Sequence, residues 1–164
     1  MTQLNTDPRA ATIAADPTVP AIHITRDFRA TPAQLIRAHT DPEIVPLWMG
    51  PAKRTMAVDY WDARSGGSWR YVDTTDDVEL GFHGCFHEIS DERIVQTFTF
   101  EGMPEGVALE TMTFEDLGDG LTRLHAKSLC DSFEARDGWL ASGMETGVDE
   151  GYRALDGLLT EGRV

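Results

Sequence analysis

Two histidines and a cysteine alternate in the stretch GFHGCFHEIS, at His83, Cys85 and His87. Imidazole and thiolate groups are typical zinc ligands, so this spacing raises the question of a metal site. Alternate residues of a β-strand share a face at roughly 6.6–6.8 Å, so the cysteine and either histidine could hold one ion. The two histidines lie roughly 13 Å apart along such a strand, too far for both to ligate one metal.

A metal site would therefore need a third ligand from a neighbouring strand, for which His125 and Glu110 are candidates. The chain contains no CxxC and no HExxH motif, the spacings that mark zinc sites most clearly. Phe82, Gly84 and Phe86 alternate with the histidines and form the better core-facing side of a strand. We interpret the stretch as a strand with its histidines on the outer side, and we expect no metal and no cofactor.

Few polar residues are candidates for acid–base chemistry: Glu110, His125, Arg64, Arg70 and Glu88. A carboxylate beside a histidine in an apolar cavity could act as an acid–base pair. Sequence spacing establishes no such pair, because cross-strand neighbours depend on a register that the sequence does not reveal. Nucleophile elbows, phosphate-binding loops and dinucleotide fingerprints are absent. No catalytic residue is assigned.

The elements that would position these residues follow from composition and periodicity. Residues 1–19 lack periodicity and are rich in Ala, Thr, Asp and Pro, so they predict a mobile arm before a single domain over residues 20–164. A strand is predicted in AIHITRDFRA, followed by two short helices that begin near Thr31–Pro32 and Asp41–Pro42. From residue 55, six strands separated by turn residues are predicted.

The last segment changes to a helical period and predicts one long amphipathic helix that begins near Asp131 or Ser132. Its apolar face consists of Leu140, Met144, Val148, Tyr152 (or Gly151), Leu155 and Leu159. Gly143, Gly147 and Gly151 form a row on this helix, although each interior glycine costs about 0.8–1.0 kcal/mol relative to alanine. The row either lets the helix approach the sheet closely or leaves space for a ligand.

Consecutive strands joined by short turns are antiparallel neighbours, and a helix with one apolar face must cover a sheet. The predicted fold class is therefore α+β. We expect a curved antiparallel sheet of about seven strands, in the order β-α-α-β6-α, wrapped around the long C-terminal helix.

Composition excludes several classes of function. The chain of 164 residues has a net charge of −14, which argues against binding to nucleic acid or to anionic membranes. Two cysteines are too few for a disulfide scaffold. The sequence shows neither a membrane-spanning apolar run nor a signal peptide, so we expect a cytoplasmic protein without membrane insertion.

The order of these elements, with these residues, resembles the START-like (SRPBCC) superfamily of helix-grip proteins. More narrowly, it is similar to the bacterial family related to the C-terminal domain of heat-shock protein 90 ATPase activators. The matching pieces are ITRDFRATPAQLIRAHTDPEIVPLWMGP, DARSGGSWRY, GFHGCFHEISDERIVQTFTFEG, ALETMTFED, GLTRLHAKSL and LASGMETGVDEGYRALDGLL. The resemblance implies a sheet wrapped around the last helix, often with a cavity for an apolar or amphipathic ligand. It implies no shared catalytic set.

The expected function is therefore non-enzymatic binding of a small apolar or lipid-like ligand between sheet and helix. The candidate ligand-binding residues are Trp48, Trp69, Phe82, Phe86, Phe98, Met112, Trp139, Met144, Gly143 and Gly147. A cavity-based enzyme of the polyketide cyclase or aromatase type is the alternative. Activation of a chaperone ATPase ranks third, because the resemblance covers one domain only. A homodimer stays open.

Overall fold

A computed structural model describes residues 10–164 of the chain. Their elements are β1 (Thr12–Ala15), β2 (Ala21–Arg29), α1 (Pro32–Thr40), α2 (Val45–Trp48), β3 (Thr55–Trp61), β4 (Ser68–Thr75), β5 (Val78–Ile89), β6 (Arg93–Phe100), β7 (Val107–Gly118), β8 (Leu121–Leu129), α3 (Phe133–Ala141) and α4 (Met144–Thr160). No helix in this part of the chain is long and apolar enough to cross a membrane.

All eight strands form one antiparallel sheet in the order β1-β2-β8-β7-β6-β5-β4-β3. The six strands β3 to β8 are consecutive neighbours, as their short turns require. The first long strand, β2, then pairs with the last, β8. The sheet is curved and unclosed, with α3 and α4 on its concave side. The predicted α+β class and helix-grip architecture are confirmed.

The eighth strand lies where an arm without secondary structure was expected. Thr12–Ala15 form β1 and pair with residues 22–25 of β2. The Oδ1 atom of Asp16 then accepts hydrogen bonds from the backbone of Thr18 and Val19, which turns the chain into β2. The sequence did not indicate this strand because β1 is short and mostly exposed, which leaves no apolar alternation to recognise. Residues 1–9 lie outside the described part of the chain.

Of the two short helices, the first begins where the sequence predicted and the second does not. Thr31 caps α1: its hydroxyl accepts from the backbone of Gln34, whose side chain accepts from the Thr31 backbone in return. The second helix does not begin near Asp41–Pro42, because a turn intervenes and α2 is only the four residues Val45–Trp48. Trp48 lies buried, with its indole N–H donating to the Ala38 carbonyl at 2.9 Å.

The predicted single C-terminal helix is broken into α3 and α4. Ser132 caps α3 through the backbone of Ala135, as the sequence indicated. Gly143 has a φ of +83°, a left-handed conformation that a right-handed helix cannot include. The helical period continues across residues 142–143, so the pattern of apolar residues conceals the break. The segment therefore forms two helices, of which α3 ends at Ala141 and α4 begins at Met144.

The glycine row of α4 faces the segment after α2 and not the sheet. A Cβ atom on Gly151 would lie 2.8 Å from the Trp48 carbonyl oxygen, and one on Gly147 would lie 3.2 Å from the Pro51 ring. The first glycine of the row, Gly143, has open space around it. Close packing is therefore the role of Gly147 and Gly151, although their partner is a loop. Leu155, one turn after Gly151 on the same face of α4, is buried in the core.

Replacing Gly151 with alanine is expected to destabilise the protein, because the new methyl group would press against backbone that cannot move cheaply. Such overpacking costs about 1–3 kcal/mol, against a gain in helix propensity of about 1 kcal/mol. Gly157→Ala is the matched control, since it lies in the same helix and meets nothing within 4 Å. Urea unfolding should show a lower midpoint for Gly151→Ala and a higher one for Gly157→Ala. Stabilisation by both would contradict the close approach.

Candidate functional site

The stretch around Cys85 forms β5 with the orientation that the sequence predicted. Phe82 and Phe86 are buried on the concave side, and Gly84 lies between them beneath the Trp69 ring. A Cβ atom on Gly84 would lie 2.0 Å from the Thr97 carbonyl oxygen, so the close approach of β6 requires glycine there. The two histidines of the stretch and Cys85 lie on the outer face of the sheet.

On that outer face His83 belongs to a network of ion pairs. Its Nδ1 atom lies 3.1 Å from the Oε1 atom of Glu101. Arg70 donates to both oxygens of Glu101, at 2.7 and 2.9 Å, and to Asp59 at 3.0 Å. Arg70 and then His83 lower the pKa of Glu101 to about 2. Within residues 10–164, no group of three or more potential ligands is placed to hold a metal ion.

The candidate acid–base pair of His125 and Glu110 is not brought together, because the two residues lie on opposite faces of the sheet. His125 is on the outer face, where its Nε2 atom lies 3.0 Å from Nδ1 of His23. Burial, followed by His23, lowers the pKa of His125. The other polar candidates also lie in surface ion pairs: Arg64 with Asp62, Arg70 with Glu101, and Glu88 with Arg93.

Glu110 is on the concave face, at the centre of the sheet. It pairs across the strands with Gln96 of β6 and Ser128 of β8. The Gln96 amide donates to the Oε2 atom of Glu110 at 2.9 Å. Burial raises the pKa of Glu110, an effect that the Gln96 hydrogen bond partly offsets. Glu110 is close enough to Tyr71 and Tyr152 for its charge to raise their pKa values, although burial has the larger effect on both.

The candidate ligand-binding residues fall into two groups in the structure. Fully buried in the core are Trp48, Trp69, Phe82, Phe86 and Met112. Keeping accessible surface are Phe98, Trp139, Met144, Gly143 and Gly147. In the second group, Phe98 of β6 and Trp139 of α3 make an edge-to-face contact with ring centroids 5.9 Å apart. This contact is where α3 covers the concave face.

Around Glu110, the middle of the concave face keeps solvent-accessible surface. The half-buried side chains here are Ile24, Gln96, Phe98, Glu110, Ala126 and Ser128. We call the accessible surface that Gln96, Phe98, Glu110, Ala126 and Trp139 form here the central cleft.

Two hollows elsewhere on the surface do not include the central cleft. One of about 470 Å³ is bordered by Pro32, the β5–β6 turn and β7. The other, of about 280 Å³, lies beside α1 and includes Ile36 and Asp91. Both lie towards one end of the sheet, away from Glu110. At the central cleft, α3 lies against the sheet through the contact between Phe98 and Trp139.

Sequence reasoning missed Asp73, a buried acidic residue of β4. Trp69, Tyr71 and Asp73 are buried on the concave face, and burial raises the pKa of Asp73. The nearest cation to Asp73 is Arg54, with Nη1 3.5 Å from Oδ2. The alternation in SWRYVDTT would have placed these three residues on one side. The indole N–H of Trp69 and the hydroxyl of Thr75 are buried without a hydrogen-bond partner among the described residues.

Comparison with known structures supports the fold. A crystal structure from Rhodobacter sphaeroides is 28% identical, with a TM-score of 0.82 over 92% of this chain and 98% of that one. A crystal structure from Mycobacterium smegmatis is 23% identical, with a TM-score of 0.80 over 91% and 96% of the chains. A Plasmodium falciparum protein described as an HSP90 activator is 20% identical, with a TM-score of 0.52 over 66% and 71%.

A comparison with curated proteins found no significant match. The family model described as "Activator of Hsp90 ATPase homolog 1-like protein" matches residues 29–160, from the end of β2 to the end of α4. This range includes the strands that form the central cleft and both C-terminal helices. The chain therefore belongs to the family of Activator of Hsp90 ATPase homolog 1-like proteins.

Proposed function

We propose that the chain binds a small apolar or amphipathic ligand in the central cleft, without catalysing a reaction. The observation that supports this function most strongly is the accessible surface of aromatic and polar side chains at the centre of the concave face. An apolar wall with a few polar groups at its base is typical of small-molecule sites. In the central cleft, Phe98 and Trp139 provide the wall, and Glu110 with Gln96 provides the polar base.

Entry of a ligand requires α3 to move away from the sheet. The left-handed Gly143 separates α3 from α4, so α3 can move while α4 stays anchored by Tyr152 and Leu155 in the core. A few residues between two helices are enough to absorb such a change in direction. The contact between Phe98 and Trp139 is therefore compatible with binding.

An enzyme that uses the same cleft is the second candidate. Its support is the raised pKa of Glu110 in an aromatic environment with Tyr71 and Tyr152 nearby. Its best pair, Glu110 with His125, is separated by the sheet. Activation of a chaperone ATPase comes third. The family name favours it, whereas the similarity to the Plasmodium falciparum HSP90 activator is 20% in sequence and covers 66% of this chain.

Fluorescence titration with the neutral probe N-phenyl-1-naphthylamine tests the binding function. We expect saturable binding of about one probe per chain. Ala126→Phe should abolish it by filling the cleft, since Ala126 is half-buried between Met112 and Ile24 on the concave face. Thr111→Phe is the matched control, because Thr111 lies on the outer face of the adjacent strand. Absence of saturable binding, or equal binding by both variants, would contradict a site in the central cleft.

A further inference from the structure

The polar base of the central cleft contains an acidic side chain, Glu110, that forms no ion pair within the described part of the chain. Gln96 donates the one side-chain hydrogen bond that the Glu110 carboxyl group accepts within residues 10–164, and that bond goes to Oε2. The Oε1 atom therefore has no protein donor in this part of the chain. A buried carboxylate needs hydrogen bonds or an opposite charge to be stable in its ionised form. Gln96 is a neutral amide and supplies no opposite charge.

The arginines on the concave side already have acidic partners. Arg26 forms a two-pronged ion pair with Asp156, and Arg54 lies beside Asp73. Arg136 of α3 is also buried and donates to Asp137. None of these three arginines is among the groups that shift the pKa of Glu110. Around Glu110, the remaining ionisable neighbours are Tyr71, Tyr152 and Cys130, which are neutral or become negative when they lose a proton. The base of the central cleft therefore favours binding of a group that donates hydrogen bonds or carries a positive charge.

Aromatic rings near this carboxylate favour the same kind of group. Phe98 occupies the position diagonal to Glu110 on the neighbouring strand and contacts Trp139 across the cleft. The Phe98 ring contacts the Phe82 ring, with centroids 5.4 Å apart, and Phe82 in turn stacks on Tyr71, with centroids 5.2 Å apart. The faces of aromatic rings attract cations, and the attraction is stronger where water is excluded from the contact. An anionic head group would be repelled by the carboxylate and by the negative faces of the rings.

We propose that the ligand of the central cleft carries a protonated amine that contacts Oε1 of Glu110, with its apolar body against Phe98 and Trp139. This inference rests on the proposed binding function. It predicts that the protein discriminates against anionic amphiphiles of the fatty-acid type, which a purely apolar cavity would accept. A charge-assisted hydrogen bond of this kind strengthens binding about tenfold or more.

Three ligands with the same twelve-carbon chain separate the effect of the head group from that of the body: dodecylamine, dodecanol and dodecanoate. Each is titrated below its micelle concentration against wild-type protein loaded with N-phenyl-1-naphthylamine at neutral pH. We expect dodecylamine to displace the probe at a concentration about tenfold lower, or more, than dodecanoate. This comparison uses wild-type protein alone, so it does not depend on the folding of a variant.

Glu110→Gln tests the residue that is responsible. It should reduce the preference for dodecylamine over dodecanol to less than about threefold. Glu115→Gln, on the exposed outer face of the same strand, should keep it. If the probe binds and dodecanoate displaces it as well as dodecylamine does, the amine inference is wrong and the binding function stands. If neither the probe nor any of the three ligands binds, the binding function fails and the inference with it.

Discussion

Replacing Asp156 with asparagine is expected to lower the free energy of unfolding by about 3 kcal/mol. Arg26 donates to the two carboxylate oxygens of Asp156 at 2.8 and 2.5 Å. The arginine side chain is 2% exposed and the aspartate 34%. Removing one partner of a buried pair costs about 3–5 kcal/mol, because the remaining charge stays buried after it has lost an opposite charge. We expect the lower end of that range because water reaches Asp156.

The matched control for this prediction is Asp27→Asn. Asp27 follows Arg26 in the chain but lies on the outer face, where it forms a similar two-pronged pair with Arg123. These side chains are 38% and 45% exposed, and exposed pairs contribute about 0–1 kcal/mol. Guanidinium chloride unfolding of both variants measures the difference. Equal losses of stability would show that the Arg26–Asp156 pair has no special role in holding α4 against the sheet.

Phe86→Ala is expected to lower the free energy of unfolding by about 3–5 kcal/mol, as for other fully buried aromatic residues. Phe86 is 1% exposed and contacts Trp61 with ring centroids 5.8 Å apart. Phe98→Ala should cost less than half as much, because Phe98 is half-buried beside the central cleft. Binding of N-phenyl-1-naphthylamine should show the opposite order, with a loss of about tenfold in affinity for Phe98→Ala only.

Comparing these two variants shows which candidate residues stabilise the core and which contact the ligand. Thermal unfolding measures stability, and the probe titration is made at a temperature where both variants are folded. A larger stability loss for Phe98→Ala than for Phe86→Ala would mean that Phe98 belongs to the core. Unchanged probe affinity in Phe98→Ala would place the binding site elsewhere.

Much of the sheet was predictable because its strands alternate clearly. The predicted strand VELGFHGCFHEI coincides with β5 at both ends, since turn residues flank a regular pattern of period two. The side of β5 that faces the core also followed from the pattern, because Phe82 and Phe86 are large and their alternating neighbours are polar. The N-terminus of α1 was predictable for a similar local reason: Thr31 is an N-cap residue type, and Pro32 follows it at the first helical position.

The candidate site was less predictable, because it depends on contacts between distant residues. Glu110 and His125 lie on adjacent strands, and only the pairing of Thr113 with His125 shows that the two side chains face opposite ways. The row of glycines in α4 indicated a close neighbour without revealing that the neighbour is the loop at Trp48–Pro51. The sequence does not show whether a glycine adopts a left-handed or a helical conformation. The break of the helix at Gly143 could therefore not be predicted either.

The short strand β1 has a consequence for how copies of the protein meet one another. Without it, the nine-residue β2 would end the sheet with a row of unpaired backbone groups, a template for aggregation. By pairing with residues 22–25, β1 moves this edge to a four-residue strand. At the opposite edge, β3 carries an irregularity between Val58 and Tyr60 that interrupts regular pairing. Both borders of the open sheet thus discourage strand addition by another chain.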